Sequence, residues 1–401
     1  MNNNIPQYSD LAHHWKLDKD IVFLNHGSFG ATPTYISEQQ TRYRDIMERE
    51  PVDFFVNQWP VLLDRSKKKL AEFVNADPDD LVFVQNTTTG VNQVLNSFLF
   101  EPGDEWLVSS HAYGACMLAM KHFCERNKIR LNVIEIPFPV EDDQQILKAL
   151  QDKITDRTKL ALIDHVSSAT GMVFPIKKIV DFLRENGVCS LVDGAHAPGM
   201  VYLDIRHLNP DFYVANCHKW ICAPKGSAFM YVKPDWKHFI KPLIISHYND
   251  TDEGGSSHWA NQFMWDGTHD FSAYFCVGDT LDYIEKLHPD GWEGVMNSNH
   301  KLVWNAGNLI AEKLGFDLPL RENYIGSILT LPMPDGEEGF PKFNETPPLK
   351  QKLYEKYQIQ VPVFMFPSAP RQWLRISSQL YNNIGQYEYL ADCLRQIFKS
   401  K

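Results

Sequence analysis

Between residues 81 and 232 the chain alternates short β-rich runs with amphipathic helical stretches, and that alternation limits the fold more than any other feature. Strand-like LVFV at 81–84, WLVS at 106–109, LNVIEI and KLALID lead into VCSLVDGAHAPGMVYLDIRHLNPDFYVANCHKWICAPKGSAFMYV at 188–232. Helix-period segments such as QQILKALQDKI and PIKKIVDFLRENGV, the latter closed by Gly187, lie between them. This succession predicts an α/β fold with a largely parallel, doubly wound sheet, in which the carboxyl ends of the strands line the ligand crevice.

The 401 residues, 44% of them hydrophobic, suffice for one large and one smaller domain. Residues 1–20 read as an arm that packs Tyr8 and Trp15 onto the body, 21–279 as the large domain and 280–401 as a small α+β domain. In the small domain, helical SNHKLVWNAGNLIAEKLG alternates with strand-like SILTLPMP, QVPVFMFP and WLRIS. YNDTDEGGSSHW reads as a mobile loop, and residues 332–348, with five prolines and two glycines, as a turn-rich excursion.

A net charge of −11 makes nucleic acid and anionic membrane surfaces poor partners. No apolar run reaches transmembrane length and the amino terminus lacks a secretory pattern, so a cytoplasmic location is expected. The seven cysteines are scattered without a CxxC pair, which argues for reduced thiols rather than a disulfide or zinc framework. No metal site is expected.

Two residues of the 188–232 stretch carry the chemistry. Asp193 in DGAH and Lys219 in NCHKW both follow strand-like runs and so can point into one pocket. Isolated Asp and Lys are usually solvated surface residues. Here they come with His196 and His218 and with small Gly194, Ala195, Gly226 and Ser227, which permit close approach. The pairing suggests pyridoxal 5'-phosphate. A buried lysine amine becomes nucleophilic, forms a Schiff base with an aldehyde and can later shuttle a proton. An acid beneath a pyridine nitrogen keeps it protonated and makes the ring an electron sink. Asn216 and His218, just before the lysine, can hold the phosphate.

At this point the chain resembles the class V (fold type I) pyridoxal-phosphate enzymes, the aminotransferase and cysteine desulfurase superfamily, and most closely the isopenicillin N epimerase-like branch. The resemblance rests on LNHGSFGATP at 24–33, FVQNTTTGVNQVL at 83–95, DHVSSATGMVFPI at 164–176, VDGAHAPG at 192–199, NCHKWICAPKGSAFMYV at 216–232, WDGTHD at 265–270 and LRISSQLYN at 374–382. It implies a large cofactor domain with an α/β/α sandwich and a smaller carboxyl-terminal domain. It also implies a phosphate cup at Thr87 and Thr88, with a register open by one residue; threonines at a helix start serve equally as plain N-caps. Tyr113 takes the position that stacks on the pyridine face, with His111 as its rival. The phenolic oxygen falls to Ser168 or His196. Gly267 and Thr268 reach the phosphate of a partner chain, which implies a homodimer with shared sites. Asn25 and His26 lie along the substrate side, where His26 could instead serve only the turn. Arg375 binds the substrate carboxylate in bidentate fashion, with Arg371 as its nearest rival.

Lys219 is then the catalytic base that removes the α-proton of an amino-acid substrate. Persulfide formation needs a cysteine before the arginine motif, and VPVFMFPSAPRQW has none. The resemblance puts epimerisation first, with Tyr113 or His26 as candidates for the second acid. Carbon–sulfur lysis of a cysteine conjugate and transamination follow, and a catalytically silent binding protein comes last. The substrate side chain is expected to be read by loops 240–265 and 333–348.

Overall fold

The computed structural model describes residues 5–249, 258–337 and 345–399. A two-residue strand, β1 (Val22–Phe23), precedes seven strands of one sheet: β2 (Leu81–Val84), β3 (Glu105–Ser109), β4 (Arg130–Ile134), β5 (Thr158–Asp164), β6 (Cys189–Asp193), β7 (Phe212–Asn216) and β8 (Ala228–Val232). Their order is β2-β8-β7-β6-β5-β3-β4. Strands β3 to β7 pair in parallel, whereas β8 runs antiparallel to both β7 and β2. The winding reverses around β3, with β4 on one side and β5 on the other. Such a reversal opens a crevice at the carboxyl ends of the strands, as the alternation of the sequence predicted.

The period of two in each strand separates two cores. Leu160, Leu162, Phe212 and Val214 pack in one apolar cluster, while Ala161, Ile163, Tyr213 and Ala215 pack in the other. Both faces are apolar because helices cover both. The helix Ile176–Glu185 shows how: Ile176, Ile179, Val180 and Leu183 are its buried residues, one stripe at helical spacing. At about 2 kcal/mol for each buried aliphatic side chain, that stripe fixes the helix to the sheet.

The carboxyl-terminal part contains β9 (Ile328–Pro332), β10 (Ile359–Gln360), β11 (Val363–Met365) and β12 (Gln372–Ser377), with β11-β12-β9 forming an antiparallel sheet. The helices Gly291–Leu314 and Ile384–Lys399 pack against each other beside it. The single strand expected through QVPVFMFP is split in two at Val361 and Pro362. Pro362 has no N–H for a ladder, and its carbonyl accepts instead from Arg375 N–H at 3.1 Å. The freed piece, β10, pairs in parallel with β1. That pairing stitches the amino-terminal segment to the carboxyl-terminal part and sets residues 25–30 beside β12. The arm is fastened nearby through Ser9 N–H to Tyr381 O at 2.9 Å, and Trp15 is buried.

All seven cysteines are free thiols. Among the described residues no helix is long and apolar enough to cross a membrane. Residues 250–257 and 338–344, which belong to the two loops expected to read the substrate side chain, lie outside the described residues. So does most of the stretch read as a mobile loop.

Candidate active site

Strand ends converge on a cavity of about 580 Å³. Lys219 and His218 come from the turn after β7, and Asn216 ends β7 itself; Asp193 ends β6, with Ala195 and His196 just beyond it. Ser168 follows β5, Tyr113 follows β3, and Thr87 and Thr88 open the helix Thr87–Ser97. The nine candidate cofactor-binding and catalytic residues Thr87, Thr88, Tyr113, Ser168, Asp193, His196, Asn216, His218 and Lys219 thus meet in one place because parallel strands deliver their carboxyl ends to the same edge.

The start of that helix lines the cavity. Asn86 caps it, its Oδ1 accepting from Thr89 N–H at 2.8 Å, while Thr87 N–H donates to Asn216 Oδ1 at 3.0 Å. Asn216 therefore ties β7 to the helix rather than standing free. Thr87 Oγ1 is buried with no hydrogen-bond partner. A sealed hydroxyl at a positive helix end is a ready place for an anion. His218 Nδ1 donates to Ser227 O at 3.1 Å, which fixes the ring, and burial pulls its pKa down to about 4. A phosphate at Nε2 would draw a proton back onto it.

Asp193, which lines the same cavity, is almost fully buried. Its Oδ1 accepts from Ala195 N–H at 3.0 Å and its Oδ2 from the Cys116 thiol at 3.3 Å. Burial raises its pKa. Asp164 stands in register with it on β5, is equally buried and has an unpartnered Oδ2. Burial first, and then the charge of Asp193, push Asp164 well above the usual carboxylate range. In the sequence Asp164 only opens the DHVSSATGMVFPI stretch; its pairing with Asp193 needed the strand order.

In the same cavity, Lys219 Nζ lies 3.1 Å from His196 Nε2. Desolvation is the main cause that lowers the lysine to about 8; Arg375 pushes the same way and Asp193 opposes it. Tyr113 lines the cavity with 49% of its surface exposed, a free aromatic face. Its rival His111 is 1% exposed and spent on Thr170 Oγ1 and Ile136 O.

The remaining predicted residues are placed elsewhere. His26 is fully buried behind the lysine: Nε2–H donates to Lys219 O at 2.9 Å, and Nδ1 accepts from Tyr381 OH at 2.8 Å. Both nitrogens are committed, so His26 braces the lysine turn rather than facing substrate. Asn25 Oδ1 accepts from Ser28 Oγ at 2.7 Å and from Arg375 Nη2 at 3.4 Å. Arg375 is 1% exposed; it donates to Ser168 O and to Ser28 Oγ, and lies over the Phe364 ring. Its partners Ser28 and Ser168 line the cavity, and the guanidinium stands directly behind them. Among the described residues no carboxylate pairs with it, and burial lowers its pKa to about 10. Arg371 is exposed and stacks on Trp373. Gly267 and Thr268 lie outside the cavity, in the loop before the helix Ser272–Glu285. The loop residues Asp266 and His269 line a second cavity of about 500 Å³ against β2 that contains none of the predicted site residues.

Gly30 shows how closely the NHGSFG turn and the lysine turn fit. Its φ is +69°, and a Cβ there would sit 2.0 Å from His218 O and 3.0 Å from Lys219 Cα. Gly30→Ala is expected to displace the lysine backbone, costing more than about 2 kcal/mol in urea denaturation and weakening pyridoxal phosphate retention in absorbance titrations.

The donor set fits pyridoxal 5'-phosphate: one cavity is lined by an orphaned hydroxyl at a helix start, a buried acid, an amine of lowered pKa and an exposed aromatic ring. The family described as aminotransferase class-V matches residues 41–334. Isopenicillin N epimerase of Streptomyces clavuligerus is 28% identical, covering 94% of this chain and 95% of its own. A probable chloroplastic L-cysteine desulfhydrase of Arabidopsis thaliana is also 28% identical, over 98% of this chain and 85% of its own. Among solved structures, a mutant of C-DES with glycine covalently linked to its PLP cofactor superimposes with a TM-score of 0.79 at 20% identity, covering 96% of this chain and 98% of that one.

Proposed function

This chain belongs to the class-V aminotransferase family, and from that premise we propose that it is a pyridoxal-phosphate-dependent enzyme in which Lys219 removes the α-proton of an amino-acid substrate. The observation that carries the reading is that Lys219, of lowered pKa, lines one cavity with a buried acid and a helix start, while the buried Arg375 behind Ser28 and Ser168 has no carboxylate partner among the described residues. Pyridoxal phosphate, when bound, supplies an aldehyde for amine condensation and an electron-withdrawing ring. Asp193 would hold a proton at the ring nitrogen, Thr87, Thr88 and His218 would hold the phosphate, and Tyr113 would cover the ring face. His196, with Ser168 beside it, would face the phenolic oxygen. Arg375 orients the substrate through its carboxylate, since no carboxylate among the described residues pairs with the guanidinium. His26 and Tyr381 keep the lysine backbone in place while Nζ moves its proton.

We favour β-elimination from a cysteine-type substrate as the outcome. Epimerisation needs an acid on the face opposite Lys219, and His26, one of its two candidates, stands behind the lysine with both nitrogens engaged. The desulfhydrase relative agrees with this choice. Epimerisation stays as the second reading through Tyr113, whose exposed hydroxyl-bearing ring lines the cavity. A homodimer, in which Gly267 and Thr268 of one chain reach the other's phosphate, completes the proposal.

The test is proton NMR of the pyridoxal-phosphate-loaded protein in deuterated buffer with L-amino acids and cysteine conjugates. A keto acid released from a cysteine conjugate without an amino acceptor is the expected result. Loss of the α-proton signal with no keto acid would move epimerisation ahead, and an unchanged α-proton across the panel would defeat the catalytic reading.

A further inference from the structure

The ring nitrogens of His196 constrain where protons sit around Lys219. Trp220 Nε1 lies 3.2 Å from His196 Nδ1, and Lys219 Nζ lies 3.1 Å from His196 Nε2. An indole N–H only donates, so Nδ1 has to present its lone pair. A neutral imidazole carries one N–H, which is then on Nε2. A second proton is opposed by burial first, His196 being 1% exposed, and then by the positive charges of Lys219 and Arg375; the neighbouring His26 and His218 are themselves held neutral by burial and offer no counter-charge. Nε2–H therefore points at the lysine nitrogen, and only a free-base amine can accept it.

We infer that Trp220 is a positioning residue that locks His196 in the Nε2–H tautomer and thereby favours the unprotonated, nucleophilic form of Lys219. The inference rests on the proposed role of Lys219. Trp220 is fully buried and packed against the His26 ring at 4.8 Å between centroids, so its N–H has a fixed direction. The lock is local in sequence, since Trp220 is the residue after the lysine. Asp193 and Cys116 attract charge to Lys219, and Arg375 and desolvation repel it. Against these the His196 donor acts in one direction only, because it has no hydrogen bond to offer an ammonium group. Without the indole N–H, the imidazole can place its proton on Nδ1 and turn Nε2 into an acceptor for protonated Lys219.

The experiment uses the cofactor-free full chain with ¹⁵N-labelled histidine, the His196 signals being assigned by their loss in His196→Gln. The expected spectrum has Nε2 protonated and Nδ1 unprotonated at mildly alkaline pH, above the value of about 8 at which Lys219 loses its proton. In Trp220→Phe the tautomer is expected to change. The pH midpoint for capture of added pyridoxal phosphate, read from the visible band, should rise by about one unit, a roughly tenfold slower capture below the midpoint. A purely structural tryptophan would lower the amount of competent protein without moving that midpoint. A proton on Nδ1 in the native chain, or a Trp220→Phe protein with unchanged tautomer and midpoint, overturns the inference. Should Trp220→Phe fail to fold, the native spectrum alone decides. If no visible band forms with any variant, the cofactor reading fails while the tautomer spectrum still tests the lock.

Discussion

Lys219→Ala leaves a folded protein without turnover, with a loss of at least about a thousandfold, because the same nitrogen both condenses with the cofactor and moves the α-proton. Steady-state assays across the amino-acid panel measure the loss, and borohydride should fix a cofactor-sized mass on wild-type Lys219 and none on the variant. Turnover within tenfold of wild type would remove Lys219 from the mechanism. The same position also predicts a pH-dependent stability. Lys219 titrates at about 8 in the fold against 10.5 for an unperturbed lysine. Between those values the unfolded chain binds a proton that the folded chain does not, so wild-type stability rises with pH through that window. Below about 8 both states are protonated and the penalty of burying the ammonium is fully present. Cofactor-free Lys219→Met, which keeps the apolar stem, is therefore expected to be more stable than wild type at neutral pH. Its advantage should shrink as the pH climbs from 8 to 10.5 in urea denaturation series. An advantage independent of pH would mean that the methionine acts through packing alone.

The residues that sequence could place are those whose position follows from local rules. Asp193 and Lys219 each come straight after an apolar strand, and parallel strands end on one edge, so their meeting needed only the alternation of strand and helix. Thr87 and Thr88 were legible for the same reason, as the first turn of a helix after a strand. His26 was not, because its orientation is set by Tyr381, 355 positions away, through β1–β10 pairing that no periodicity announces. Reading QVPVFMFP as one strand hid that pairing, although Pro362 was the signal for a break. The Asp164–Asp193 pair needed the strand order, since a register between β5 and β6 cannot be read from either alone. Trp220 carries no signal of its own in the sequence; its indole N–H gains meaning only with His196 beside it.

Arg375→Met separates what the site does from what the fold needs. The guanidinium is 1% exposed, and its polar contacts are neutral: Ser168, Ser28 and Asn25. A buried cation without an acid is a stability cost that a methionine of similar volume removes, and such replacements are commonly neutral or stabilising by about 1–4 kcal/mol. Against that, Ser168 O loses a donor, at about 1–3 kcal/mol. The two nearly cancel, so thermal unfolding of the cofactor-free variant should match wild type within a few degrees. Activity should not. A charge-assisted bidentate contact to the substrate carboxylate is worth about 3–4 kcal/mol, so kcat/KM should fall by two to three orders of magnitude. Arg375→Lys keeps the charge without the fork and is expected to lie between the two. An amino-acid amide, which lacks the carboxylate, should be handled with equal and low efficiency by wild type and by Arg375→Met. If the methionine variant instead unfolds many degrees early while its folded fraction keeps a wild-type kcat/KM, Arg375 is a structural cation and the substrate carboxylate is held elsewhere.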